Sequence, residues 1–303
     1  MSNITHAVVV EAPAKTNLVL EIKGTDAEGY HELSTIFQAL SLSDELIITQ
    51  AEDDKLEMID MVNAGFPVTI DSNNLVIKAQ RLLEEHCGRQ LPCHIRLIKN
   101  IPAGGGLGGG SADAAATLLG LNALYELQLS NDELMQLGAK LGADVCFGLV
   151  RGTAWGQGRG EKLTPMSTAL RLYSVILVVP ARGLSTPKVY AKWDKLPDEE
   201  RHPAYNRTKK FLELSRKKAA PESYINCLSN DLEVAAFKLY PELAQIKQQL
   251  LDNGCLAAIM CGSGSTVMGV LDPQLPSHEV EALQAKMSAW GKIIVTSIRS
   301  DRQ

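Results

Sequence analysis

The chain has 303 residues, 45% hydrophobic, 21% charged and only 5% aromatic. That length supports one large or two medium domains with cores built from Leu, Ile, Val and Ala. A net charge of −5 argues against a general nucleic-acid binder or a protein held on an anionic membrane, so neither nucleic acid nor membrane is expected as a partner.

The first predicted elements are a strand over Val8–Pro13 and another over Leu18–Ile22. Between them lies Ala12-Pro-Ala-Lys-Thr-Asn17, with one charge among small residues. Glu45–Ile48 is a third strand. Ser72-Asn-Asn-Leu75 opens a helix whose face carries Leu75, Ala79, Leu82 and Leu83, with Gly88 as its stop. His94–Ile98 alternates as a strand does. A helix is expected from Ser111 to about Tyr125. Ser130-Asn-Asp-Glu133 reads as a capping box opening a further helix that ends near Gly142, directly before Ala143-Asp144-Val145. Gly152–Glu161 reads as strand and turn.

A domain boundary is expected near Pro165–Leu170, dividing the chain into 1–166 and 167–303. Leu172–Val179 is a buried strand. Thr186 and Pro187 read as an N-cap and a first-turn proline. Residues 197–222 are polar. Their basic stretch, Arg201, Arg207, Lys209, Lys210, Arg216, Lys217 and Lys218, reads as a solvated helix face balanced by Glu199, Glu200 and Glu213. Asp231–Asn253 is helix, interrupted at Pro241. Leu256–Met260, the turn Cys261–Thr266 and Val267–Leu271 form strand–turn–strand. Val280–Ala289 is helix and Lys292–Ser297 a last strand. Mixed short strands and helices with hairpin-like turns favour an α+β fold over a doubly wound parallel sheet.

The six cysteines, at 87, 93, 146, 227, 255 and 261, lack C-x-x-C or zinc spacing. Scattered thiols fit a reducing cytoplasm. The N-terminus shows no basic region followed by an apolar run, and no stretch approaches the ~18 apolar residues of a membrane span.

The densest chemical signal is Pro102-Ala-Gly-Gly-Gly-Leu-Gly-Gly-Gly-Ser-Ala-Asp113, in which six of twelve residues are glycine. Glycines allow backbone N–H groups to converge on one point, and a following helix N-terminus favours a phosphate. Three phosphate-binding loops compete. A P-loop needs a lysine directly after its second glycine, which is absent. The letters G-x-G-x-x-G occur at Gly104, Gly106 and Gly109, but no second parallel strand carries an acid ~20 residues on, so a dinucleotide site lacks its context. A loop wrapping a triphosphate remains, with Ser111 offering a hydroxyl to phosphate or Mg²⁺. A plain flexible turn would hardly need so many glycines.

Pro102–Asp113 resembles the phosphate-loop motif of the GHMP kinases. Ala12–Asn17 resembles their N-terminal motif, and Cys261-Gly-Ser-Gly-Ser-Thr266 their C-terminal glycine motif. The resemblance spans the whole chain. It implies a ribosomal-protein-S5-like N-terminal domain joined to a ferredoxin-like C-terminal one, and ATP with Mg²⁺ as cofactors. Gly29-Tyr-His31, Phe37 and Leu141-Gly-Ala-Asp-Val145 are similar to one branch of the family. Its members phosphorylate the 2-hydroxyl of a cytidine diphosphate-linked alcohol in the non-mevalonate isoprenoid pathway.

The same resemblance assigns roles. Asp144 and Lys15 are the catalytic pair. Pro102, Gly104, Gly105, Gly106, Leu107, Gly108, Gly109, Gly110 and Ser111 hold ATP phosphates. Asn74 and Lys99 are further candidates for the ATP pocket. Asn74 would serve equally as a helix cap, and Lys99 equally as a solvated strand lysine. Asn17, Tyr30, His31, Phe37, Tyr190, Gly262, Ser263 and Gly264 are expected around the substrate, with the aromatic groups reading cytosine. Where the family usually has proline after Asp-Val, this chain has Cys146, which leaves the backbone at Asp144 less preset. Rival readings are a homoserine or mevalonate-type kinase of the same family, and a non-catalytic ligand-binding relative. Base-reading residues oppose the first, and the retained Lys15 and Asp144 oppose the second.

Overall fold

The computed structural model describes residues 6–62, 68–201 and 206–299. Its strands are β1 (Ala7–Thr25), β2 (His31–Gln50), β3 (Lys55–Asp60), β4 (Cys93–Lys99), β5 (Thr153–Gly158), β6 (Lys162–Met166), β7 (Ser174–Val179), β8 (Ser229–Asn230), β9 (Ala257–Met260), β10 (Val267–Val270) and β11 (Lys292–Ser297). The helices are α1 (Leu75–Cys87), α2 (Gly109–Leu124), α3 (Asn131–Leu141), α4 (Ala143–Val150), α5 (Thr186–Trp193), α6 (Asp198–Arg201), α7 (Arg207–Arg216), α8 (Pro221–Ile225), α9 (Leu232–Leu239), α10 (Glu242–Asp252) and α11 (Ser277–Met287).

Two sheets result. One runs β3-β4-β2-β1-β8, with β5 on the other half of β2 and β6 beyond it; the second runs β11-β7-β10-β9. The chain therefore changes sheets between Met166 and Ser174 and returns once, when β8 pairs in parallel with Val19 and Leu20 of β1. The fold is α+β.

Several sequence expectations need correction. The two N-terminal strands are one 19-residue strand, β1. Pro13 does not end it, because a register shift between Pro13 and Lys15 leaves room for a residue without an N–H. Thr186 is not the N-cap of α5; Ser185 occupies that position, one residue earlier. The polar stretch 197–222 hides the fully buried Phe211 on α7. Strands β3 and β6 and helix α4 lacked a clear period. By contrast, α1 starts and stops as its sequence dictates. Asn74 caps Val76 N, and Gly88 takes a left-handed φ of 63°. The capping box at Ser130 and Glu133 is complete.

Three large apolar clusters form the core, and two of them span both halves. One places α1, α2 and α3 on β2 and β4, around Leu46, Ile48, Leu83, Leu118 and Leu134. A second packs α9, α10 and α11 on β7 and β9, and includes Leu20 and Ile22 of β1. The third lies between the sheets, where Ala14, Leu18 and Ile36 meet Val175, Leu177, Phe211 and Met268. Among the described residues no helix is long and apolar enough to cross a membrane.

Candidate active site

The β1–β2 ladder shifts register between Pro13 and Lys15 and again between Asn17 and Val19. Such irregularities re-aim side chains. Here they bracket Lys15 and Asn17, which share a face two residues apart, with Phe37 opposite Asn17 across the ladder. All three line a cavity of about 370 Å³. Lys15 is 8% exposed. Its ammonium donates to Asn17 Oδ1 at 3.1 Å and stands 3.3 Å from Asp144 Oδ2. Asn17 is itself fixed, because its amide donates to Thr35 Oγ1 at 2.8 Å and that hydroxyl donates to Val19 O at 2.7 Å. Phe37 closes the pocket floor, stacked on Phe147 with ring centroids 4.9 Å apart.

Asp144 stands in the first turn of α4, begun afresh after α3 ends at Gly142, whose φ of 153° is one that L side chains rarely adopt. Val145 N donates to Gly142 O at 3.1 Å. A helical turn thus holds the backbone at Asp144, and Cys146 is buried behind it.

The glycine loop approaches from the other side. Gly104, Gly106 and Gly108 have φ of 73°, 81° and 70°, values that L side chains avoid. Ala112 N makes the first α2 bond, to Gly108 O at 2.9 Å, so the amides of Gly109, Gly110 and Ser111 have no helical acceptor and are available to an anion. Gly106, Gly108 and Ser111 line the cavity. Leu107 instead turns into the core, and its carbonyl accepts from Lys15 N at 2.9 Å. Pro102 is buried at the loop's entry, and Gly104 and Gly110 are exposed.

A second reason for glycine emerges from the turn Cys261–Thr266. Thr266 N donates to Gly105 O at 3.1 Å. A Cβ on Gly105 would lie 2.6 Å from Thr266 Oγ1, and one on Gly106 would collide with Cys261 O. A Cβ on Gly262 would meet Gly106 O at 3.1 Å and Lys15 Nζ at 3.3 Å. The two glycine turns interlock backbone against backbone. Gly262 and Ser263 line the cavity, and Ser263 Oγ is 2.7 Å from Thr186 Oγ1. Gly264 packs beside Met260 and Leu184, away from the opening.

The aromatic groups divide. Phe37 and Tyr190 line the cavity. Burial and the nearby Asp144 charge push the Tyr190 phenol well above its usual range. His31 stands at the rim, its ring 4.7 Å from that of Tyr190 and its Nε2 2.7 Å from Asp194 Oδ1. Tyr30 is 57% exposed on the β1–β2 turn and does not line the cavity; it lies under Arg159, which does.

Two expected nucleotide contacts are otherwise engaged. Asn74 spends both ends of its amide on the α1 cap, accepting from Val76 N at 2.9 Å and donating to Thr69 O at 2.8 Å. Lys99 is neither solvated nor open to the cavity. It is 4% exposed and bonded to both Asp44 and Asp113. Asp44 also accepts from the backbone N–H groups of Asn100 and Ile101, at 2.5 and 2.8 Å, at the root of the loop. Burial, with Asp44 nearby and against the pull of Lys99, pushes the Asp113 carboxyl up to about 8. This trio lies beneath the loop, where a Cβ on Gly109 would stand 3.3 Å from Lys99 Nζ.

Sequence reasoning missed Arg159, Thr186, Leu20, Leu33 and Leu232, which line the same cavity. Only Thr186 stands in a recognisable pattern, a helix start, which carries no sign of a site. Among the described residues no group of three His, Cys, Asp or Glu side chains could cage a metal ion. The hydroxyl of Ser111, beside free amides, suits a metal held mainly by phosphates.

A cavity walled by two interlocked glycine turns, a helix N-terminus and a lysine–aspartate pair defines a small-molecule kinase. Residues 74–153 match the profile of the GHMP kinases N terminal domain and residues 209–291 that of the GHMP kinases C terminal domain. The chain belongs to the GHMP kinase family and is an ATP-dependent phosphotransferase acting on a small molecule. It is 40% identical to the 4-diphosphocytidyl-2-C-methyl-D-erythritol kinase of Moorella thermoacetica over 87% of this chain and 90% of that one. To the enzyme of the same name from Rhodococcus jostii it is 42% identical, over 88% and 84%. A crystal structure of 4-(cytidine 5'-diphospho)-2C-methyl-D-erythritol kinase superposes with a TM-score of 0.77 at 30% identity, covering 97% of this chain and all of that one. The homoserine kinase of Cytophaga hutchinsonii reaches 0.75 at 17% identity, over 98% and 96%, and shows the shared fold alone.

Proposed function

We propose that the chain transfers the γ-phosphoryl group of ATP to the 2-hydroxyl of 4-diphosphocytidyl-2-C-methyl-D-erythritol, in the non-mevalonate route to isoprenoid precursors. The chemistry rests on one observation: Lys15 and Asp144, 3.3 Å apart, share a cavity with Gly106, Gly108 and Ser111 at the start of α2. Phosphoryl transfer needs positioning and charge compensation more than covalent help from the protein. Asp144 accepts the proton of the substrate hydroxyl. Lys15, braced by Asn17, orients that carboxylate and supplies positive charge where the phosphoryl group crosses. The amides of the Gly104–Ser111 loop receive the triphosphate, and transfer is direct, without a phosphoenzyme. Ser111 would help to hold a Mg²⁺ bound mainly by the phosphates, which would supply charge neutralisation there.

Residues 1–166 supply the phosphate loop and catalytic pair. Residues 167–303 close the substrate side through Thr186, Tyr190, Leu232, Gly262 and Ser263. Tyr190 on the cavity wall, with His31 beside it and Tyr30 just outside the lining, forms the cytosine end. A cytoplasmic setting suits the six free thiols, five of them buried.

The test is ADP release with 4-diphosphocytidyl-2-C-methyl-D-erythritol, mevalonate and homoserine side by side. The first should be preferred by at least ~100-fold in kcat/KM. Preference for either of the others overturns the substrate assignment, and silence with all three overturns the kinase chemistry.

A further inference from the structure

Resting on that reading of the substrate, we propose that Arg159 is a positioning residue for base recognition: from the cavity wall it fixes Tyr30, which stands just outside the lining, as a platform for the cytosine ring. Tyr30 closes the turn between β1 and β2, its carbonyl accepting from Asp26 N at 2.8 Å, and is more than half exposed, so that an unsupported ring would sample several rotamers. Arg159 comes from a different turn, between β5 and β6, and its guanidinium carbon lies 3.8 Å from the Tyr30 ring centroid. That is close stacking of a cation on an aromatic face.

The guanidinium is itself held. Its Nε donates to Asp26 Oδ2 at 2.8 Å and its Nη2 to Glu28. The other oxygen of Asp26 accepts from the backbone N–H of Glu28 at 3.0 Å and of Tyr30 at 2.8 Å. One carboxylate thus shapes the turn that carries Tyr30 and fixes the plane of the cation that stacks on it. Turn, carboxylate, guanidinium and ring close a circuit. Arg159 also lines the cavity, which links that circuit to the substrate space.

The local charge decides between two roles. A cavity-lining arginine beside a diphosphate substrate invites assignment as an anion clamp. Here two carboxylates already pair with it, and Glu32 and Glu161 line the adjoining depression with them, against one further cation, Lys162. The neighbourhood is acidic and repels a free diphosphate. Holding the ring is the role that the geometry leaves.

The experiment compares Arg159→Met and Arg159→Lys, each alone and combined with Tyr30→Ala, with both KM values and kcat measured. Arg159→Met is expected to raise KM for the cytidine substrate about 5–20-fold while kcat and KM for ATP stay within twofold. Arg159→Lys, which keeps a cation but loses the planar fork, should recover part of that loss. In the Tyr30→Ala background either change should add less than twofold, because the ring it supports is gone. A matching rise in KM for ATP, or full multiplication of the two effects in the double variant, overturns the proposal. If Arg159→Met does not fold, the lysine variant and its double carry the same comparison. Wild-type enzyme that prefers mevalonate or homoserine overturns the substrate reading instead, and does so before any variant is made.

Discussion

The glycine-loop end of the cavity, proposed for phosphate, and the aromatic end, proposed for the base, are built from different materials. At the phosphate end the backbone does the work: glycines with positive φ, unpaired helix amides, and two turns whose approach leaves no room for a Cβ. At the base end side chains hold side chains, with Arg159 on Tyr30, Asp194 on His31 and Tyr190 beside it. A backbone site is rigid and indifferent to which triphosphate-bearing molecule enters. A side-chain site can be retuned one residue at a time. The division suits a family that keeps one phosphoryl donor and varies the acceptor.

The contrast can be broken most sharply where the two ends meet, at Asp144. Asp144→Asn keeps the shape and removes the proton acceptor. It is expected to lower kcat by at least ~10³-fold, with ATP affinity by calorimetry changed less than about threefold. A rate within tenfold of wild type would leave the base role without support.

Next comes the backbone character of the phosphate end. Gly106→Ala places a methyl group against Cys261 O at a φ of +81°. The expected outcome is a loss of about 100-fold in kcat/KM for ATP, with a fall in Tm of several degrees. An alanine variant that binds ATP normally would mean that the turns are looser than their interlock implies.

The smallest effect probes what lies under the loop. Asp113 has a carboxyl pKa raised to about 8, chiefly by burial, against an ordinary value near 3.9. A raised carboxyl pKa stabilises the folded state fully below the ordinary value and loses that contribution as pH rises through the folded one. Wild-type Tm should therefore fall by about 2–5 °C between pH 6 and 9 through this group. Asp113→Asn keeps an acceptor for Lys99 and cannot ionise, so it should flatten that decline. Parallel pH curves for the two proteins would reassign the dependence elsewhere.

How much of this was legible in the sequence follows the same division. Glycine at Gly104, Gly106 and Gly108 announces its backbone geometry in its own identity, so the phosphate loop could be read directly. Ser130, Glu133, Asn74 and Gly88 announce helix ends in the same way, through local hydrogen bonds within a few residues. Arg159 and Asp194 announce nothing, because their meaning lies in partners 129 and 163 positions away. Lys99 misled for a related reason. Beside a glycine loop its charge points to phosphate, and its answering carboxylates, Asp44 and Asp113, lie on other elements. The continuity of β1 through Pro13 was hidden because a register shift, set by the pairing with β2, has no signature in either strand alone.

That long first strand has a consequence for how such an enzyme can change over time. Along its length it supplies Ala12 to the helical core, Ala14 and Leu18 to the core between the sheets, and Leu20 and Ile22 to the C-terminal core. Lys15 and Asn17 sit in the middle. The two halves are therefore poor units for recombination, since a foreign C-terminal half would have to fit apolar side chains already committed by β1. The turn at Asp26–Tyr30 contributes to none of these clusters. Substitutions there are the changes this architecture absorbs most cheaply, so new acceptor preferences have an open path at the rim and a closed one through the body of the fold.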